Sequence, residues 1–330
     1  MINRRQLMRT VGVGLPAAVL GGTVSRVSTP QADPGTKSKT AEGCEPPVCT
    51  PGSGKIIQWG KAAPAVPEAG LSGVTAVSAG AYANLYNLML KDGRVAIWGS
   101  FNFSTPIEQR LSRVPVAATK DVTAIATASA YSIALRDGGV IVWGGTSDLN
   151  LTLPEAAKSG VTAIAGGNGG YGDGLFLKDG GVIQWHGRVD VPDEAKEGIV
   201  AIAARAHALA LREDGRVITW GRDQAANMAV PAEAQSGVTK ISAGAGFTLA
   251  IKNGGVIAWG DNSKGQLEVP YEAQSDVVAI SAGIEASMAL TASGKIVTWA
   301  YNFNGQMDIP AEAQCGGSAI SCGRICMVVL

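Results

Sequence analysis

Two histidines, five cysteines, seven tryptophans and eleven Tyr or Phe residues are the side chains of this 330-residue sequence that invite a chemical reading first. His186 and His207 sit in separate segments on unlike loops, so neither a Ser-His-Asp relay nor a histidine metal centre assembles from them. Gly167-x-Gly169-x-x-Gly172 has the spacing of a dinucleotide fingerprint, but it leads into a strand where phosphate binding needs a helix N-terminus. It reads as a glycine loop. Cys44, Cys49, Cys315, Cys322 and Cys326 match no zinc spacing and have no histidine near them. Disulfides are the better reading. No catalytic residue, metal or cofactor is therefore expected, and the aromatic side chains are left as candidates for recognition.

What positions those aromatics is a repeat. Trp59, Trp98, Trp143, Trp185, Trp220, Trp259 and Trp299 are separated by 39, 45, 42, 35, 39 and 40 residues, each in an apolar run such as Val217-Ile218-Thr219-Trp220. Tight-turn dipeptides precede nearly all of them: Asp92-Gly93, Asp137-Gly138, Asp179-Gly180, Asp214-Gly215, Asn253-Gly254 and Ser293-Gly294. The recurring aspartates are turn chemistry. A second apolar strand (Leu209-Ala210-Leu211) comes before each turn, and a small-residue strand (Val238 to Gly244) before that. After each Trp the chain reaches Pro67, Pro115, Pro154, Pro192, Pro231, Pro270 or Pro310, which fits only an edge strand or its end. The spacing predicts a four-stranded antiparallel unit, A to D, and an all-β, seven-bladed β-propeller over residues 55–330. All seven tryptophans are expected in the core.

The ends close the ring. Lys55 to Trp59 reads as a strand C without A and B, and the chain stops at Leu330 after a strand B without C and D, so one blade is expected to be shared. Cys44 and Cys49 precede the entering strand, and the other three cysteines lie in the strands that complete its blade. The arrangement predicts a Cys322–Cys326 disulfide and a second from Cys315 to Cys49 or Cys44.

Composition narrows the setting. Glycine contributes 44 residues, charged residues 16% and hydrophobic residues 46%, too apolar for a disordered chain. With 27 basic and 27 acidic residues there is no basic field to hold a phosphate backbone, so nucleic acid is excluded as an expected partner. Residues 1–28 read as an export signal: Arg4, Arg5 and Arg9 precede the apolar run from Val11 to Val24, too short to span a bilayer. Asn3 to Arg9 fits a twin-arginine motif, and an ordinary secretory signal is the alternative. Removing residues 1–28 takes away four arginines and no acid, leaving 23 basic against 27 acidic residues. Residues 29–54, with five prolines, read as a disordered linker. The expectation is a secreted monomer with no membrane contact once the signal is removed.

Strand order puts A–B and C–D loops on one face, the top. Bottom segments repeat nearly verbatim, as in Ala232-Glu233-Ala234-Gln235 and Ala311-Glu312-Ala313-Gln314, whereas the top loops vary. Tyr82, Tyr86, Tyr131, Tyr171 and Phe247 fall in or beside A–B loops, and Phe101, Phe103, Tyr301 and Phe303 in C–D loops, leaving Phe176 and Tyr271 elsewhere. These nine are the candidate partner-binding residues, with packing inward the alternative for Tyr131 and Phe247.

The units, above all the segment from Gly254 to Val277, resemble the repeats of the regulator-of-chromosome-condensation family, and more closely those of the secreted bacterial type II β-lactamase inhibitory proteins. That resemblance implies a propeller whose top-face aromatics clasp a class A β-lactamase or related serine enzyme beside its active site, occluding it without covalent chemistry. Tyr82 matches an aromatic of the first A–B loop and Phe303 one of a C–D loop. The sequence departs from the pattern at Ile284-Glu285-Ala286-Ser287, at Arg324-Ile325-Cys326-Met327 and in the glycine-rich insertion between Gly166 and Gly174. A glycan-binding or adhesive module is the second expectation, since Asn102, Asn302 and Asn304 interleave with the rim aromatics. An enzyme with carboxylates around the central channel is the third.

Overall fold

The structure, a computed structural model, describes residues 52–61, 63–80, 86–99, 106–145, 150–167, 174–187, 189–221 and 229–330. Twenty-one strands form seven antiparallel sheets of three. Blade one holds β2 (Val74–Ala79), β3 (Asn87–Lys91) and β4 (Arg94–Trp98), and blade two β5 (Val122–Thr127), β6 (Tyr131–Arg136) and β7 (Gly139–Gly144). Blade three follows with β8 (Val161–Gly166), β9 (Gly174–Lys178) and β10 (Gly181–Trp185), and blade four with β11 (Ile199–Ala204), β12 (Ala208–Arg212) and β13 (Val217–Trp220). Blade five is β14 (Val238–Ala243), β15 (Phe247–Lys252) and β16 (Gly255–Gly260); blade six is β17 (Val277–Ala282), β18 (Ala286–Thr291) and β19 (Ile296–Ala300).

The seventh blade is shared, as the sequence requires. Its strands β20 (Ala319–Cys322) and β21 (Cys326–Val329) are completed by β1 (Ile56–Trp59), with Ile56 opposite Val329 and Trp59 opposite Cys326. Two further bonds extend the join: Gly54 N–H donates to Leu330 O at 2.7 Å and Leu330 N–H to Lys55 O at 2.9 Å. The first strands of all blades line the centre, each packing on the next, and β20 against β2 completes the circle.

One expectation fails. The predicted fourth strand D is absent from every blade among the described residues. In its place, each recurring proline stands in extended conformation before a short 3-10 turn, as Pro231 does before Ala232–Gln235. Proline brings no N–H to a ladder and its φ near −65° suits the entry to a turn. Its carbonyl is used instead, accepting the N–H three residues on, as Pro231 O does from Ala234 N at 3.0 Å. The alanine so placed is fully buried beneath the blade.

Burial is organised between blades rather than within one body. Seven clusters each combine residues of two neighbouring blades, for example Ile133 and Leu135 with Ile164, Phe176 and Trp185. Both faces of each sheet are therefore covered, which is why the middle strands read as continuous apolar runs. Asp92 and Gly93, at φ 50° and 69°, show why the turn dipeptides recur: both positions of that hairpin lie in the left-handed region.

Polar bonds then fix one blade to the next. Every Trp is at most 6% exposed. Six of their indole N–H groups donate to the preceding unit, as Trp59 does to Gln306 O at 2.8 Å and Trp299 to Gln266 O at 2.9 Å. On the innermost strands, Ser242, Ser281, Ser321 and Ser78 accept the backbone N–H of Ala282, Cys322, Ala79 and Thr127 in the following blade, at 2.9 to 3.0 Å. Blades two, three and four carry Ala126, Ala165 and Ala203 at that register. Replacing Ser281 by Ala strands a buried Cys322 N–H, so urea unfolding should show a loss of ~1–3 kcal/mol. A loss below about 0.5 kcal/mol would mean the bond is dispensable.

Candidate recognition surface

The top loops place the nine aromatic candidates unequally. Tyr82, Phe101, Phe103 and Tyr171 lie outside the described residues. Tyr86, Tyr131 and Phe247 are core, a correction to the rim reading: each is at most 1% exposed. They stand at or just before the first residue of a middle strand, where the ring turns toward the neighbouring blade. The Tyr86 hydroxyl donates to Ala128 O and, at 3.0 Å, to Tyr131 O, and burial pushes its pKa up. Tyr131 meets Trp185 edge to face at 5.3 Å. Phe176 is buried, and Tyr271 is exposed beside a bottom turn.

Tyr301 and Phe303 are the described candidates that face solvent, 39% and 61% exposed. Their rings are parallel within 1° at 5.9 Å between centroids. The loop that presents them is closed by its own side chains. Asn302 Oδ1 accepts Met307 N–H at 2.8 Å, and Gln306, 2% exposed, accepts Asn304 N–H through Oε1 at 3.0 Å. Because Gln306 O also takes the Trp59 indole, the ledge is pinned to the adjoining blade. Blade five repeats the device: Asn262 Oδ1 accepts Leu267 N–H and Gln266 Oε1 accepts Lys264 N–H.

Beside the ledge is an open cleft of about 390 Å³, lined by Ile284, Glu285, Asn304, Gln306 and Arg324 together with the two aromatics. Lysines stand over both rings, Lys264 Nζ 4.4 Å from the Tyr301 centroid and Lys61 Nζ 5.1 Å from that of Phe303. These come from loops of blades five and seven. The sequence reading missed Lys61, Lys264, Glu285 and Arg324 as site residues; the repeated Asn-x-x-Gly-Gln spacing of the two loops was the available signal.

The seven inner strands contain neither Asp nor Glu. Arg205, 4% exposed at the end of β11, instead reaches blade seven, where Nη2 donates to Cys322 O at 3.1 Å. Its Nε and Nη1 have no partner among the described residues, and burial lowers its pKa to about 10. His207 is likewise buried, with Nε2 2.8 Å from Thr248 Oγ1, and burial lowers its pKa to about 4. The described residues hold no cluster of three or more His, Cys, Asp or Glu fit to bind a metal.

Cys322 and Cys326, opposite each other in the β20–β21 ladder, form the expected disulfide. Cys315 is also disulfide-bonded, and its two candidate partners, Cys44 and Cys49, lie outside the described residues. No described helix is long and apolar enough to cross a membrane.

Ring, repeat and rim together define a seven-bladed repeat propeller, and residues 238–266 match the regulator of chromosome condensation (RCC1) repeat. Among solved structures, yeast RCC1 (Prp20), bound there to Kap60, aligns with a TM-score of 0.61 at 14% identity, over 91% of this chain and 96% of that one. Human WBSCR16 gives 0.58 at 15% identity, covering 83% and 98%. The receptor kinase CR4 ectodomain of Physcomitrella patens gives 0.58 at 17%, covering 78% and 71%. At these identities the likeness is one of fold. No curated protein matches the chain in sequence.

Proposed function

We propose that this protein is a secreted, non-catalytic binding propeller that inhibits an enzyme by occluding its active site, with a class A β-lactamase-like serine enzyme as the target. The observation that carries the reading is the Tyr301–Phe303 ledge: two large rings held in the open by a loop that the Asn302 and Gln306 side chains close on itself. Exposed aromatics on a preorganised loop bind at low entropic cost. The resemblance of the repeats to the type II β-lactamase inhibitory proteins supplies the target. Oxidised cysteines support an exported protein, since such bonds persist outside the cytosol.

The glycan reading has less to stand on. Both polar ends of Asn302 are used inside the loop, Oδ1 by Met307 N–H and Nδ2 by Asp308, so this side chain does not address a sugar.

Titrating mature protein into class A β-lactamases turning over nitrocefin should give stoichiometric inhibition. Tyr301→Ala with Phe303→Ala should weaken it at least tenfold, about 1.4 kcal/mol. Full activity of every lactamase at saturating protein, with retention on a polysaccharide column, would select the glycan reading instead.

A further inference from the structure

Glycine follows the blade tryptophan in five of the seven units, at Gly60, Gly99, Gly144, Gly221 and Gly260. The chain turns there from strand to top loop, and Gly60, Gly144, Gly221 and Gly260 do so with φ between 97° and 132°. Other residues rarely adopt such angles, because Cβ crowds the adjacent backbone. Blade three has His186 at this place, with φ 60°, and blade six has Ala300, with φ 97°. Seven of the eight described non-glycine residues with positive φ are Asp, Asn or His between 50° and 60°, inside the left-handed well. Ala300 is the eighth. It lies outside that well, has no polar atom to compensate, and immediately precedes the Tyr301–Phe303 ledge.

The same turn sends the next N–H to the A–B loop of its own blade. After Gly144 and Gly260 that bond is short: Gly145 N–H reaches Ala130 O at 2.6 Å and Asp261 N–H reaches Gly246 O at 2.8 Å. After Ala300 it is long, Tyr301 N–H to Glu285 O at 3.3 Å. Beyond Tyr301 the loop is fastened by Asn302 and Gln306, and Gln306 O takes the Trp59 indole. Phe303 therefore rides on a fixed segment, whereas Tyr301 is held by a strained residue and a long hydrogen bond.

We infer that Ala300 is a positioning residue whose strained turn sets Tyr301 over the cleft. Relaxation to negative φ rotates the Ala300–Tyr301 peptide, frees Glu285 O and withdraws that ring from the cleft wall, while Phe303 stays in place. Phe303 is then the permanent anchor and Tyr301 the conditional one, because backbone strain at a recognition loop brings a second position within reach. The inference deepens the proposed function and rests on it for the binding measurement alone.

The first measurement needs no partner. In the whole protein, Ala300→Gly relieves the strain, so the Tyr301 amide should exchange with solvent at least about fivefold more slowly by NMR, with the Asp261 amide as unchanged reference. Gly260→Ala transplants the strain to blade five and should speed Asp261 exchange by a similar factor. The second measurement is inhibition of nitrocefin hydrolysis. Ala300→Val, whose branched side chain tolerates positive φ least, should weaken inhibition at least about tenfold in the wild-type background, but less than about twofold in the Tyr301→Ala background. Such non-additivity shows action through that ring, which a merely structural role would not produce. Equal losses in both backgrounds, or a Tyr301 amide indifferent to Ala300→Gly, would overturn the inference. If the wild-type protein inhibits nothing, the proposed function falls and the exchange rates still decide the role of Ala300, as they do if Ala300→Val fails to fold.

Discussion

Deleting Cys326–Leu330 should leave a chain with no cooperative unfolding transition. Strand β21 lies between β20 and β1, so its loss unpairs both neighbours and opens the ring. All five deleted residues are at most 3% exposed. At about 1.5–3 kcal/mol for each large apolar side chain withdrawn from the core, the loss is comparable with the whole stability of a typical domain, about 5–15 kcal/mol. Near-ultraviolet circular dichroism during a urea titration provides the check. A truncated chain that keeps its aromatic signal and unfolds in one sharp step would show that six blades stand without the seventh.

Acid should unfold the protein through one imidazole before its carboxylates titrate. Burial holds the folded-state pKa of His207 near 4, against 6.5 for an exposed histidine. Above pH 6.5 the ring is neutral folded or unfolded and contributes no pH dependence. Between pH 6.5 and 4 the unfolded chain gains a proton that the folded chain refuses, so stability falls as pH falls, by about 3 kcal/mol in all. His207→Gln removes the titrating group and should flatten this limb when urea midpoints are compared at pH 7 and 4.5. An identical limb in both proteins would assign the acid sensitivity elsewhere. Asp193, Asp214 and Asp261, whose pKa values lie below the ordinary aspartate value, act only at lower pH.

Tryptophan spacing and Asp-Gly or Asn-Gly turns, properties of a single hairpin, made the blade count readable from the chain, and the incomplete units at residues 55–59 and before Leu330 made the shared blade readable. The missing strand D was hidden because local sequence fits two outcomes. Pro231 is compatible with an edge strand or with a 3-10 entry, and only packing beneath the blade decides between them. Burial of Tyr86, Tyr131 and Phe247 depends on what the adjoining blade offers, which proximity to a loop does not reveal. Lys61 and Phe303 are 242 residues apart and meet through the closure. Arg205 reaches Cys322 O of blade seven from the end of β11, a contact across 117 residues of sequence that local pattern does not reveal.

The serine hydroxyls on the inner strands are not spread evenly. They clasp the contacts from blade five through six and seven and one to two, and alanines occupy the remaining arc. A hoop made from one strip would ordinarily spring apart at its weld. Here the weld lies in the middle of the riveted half, so the join is braced on both sides, and the ledge of blade six sits within that braced arc.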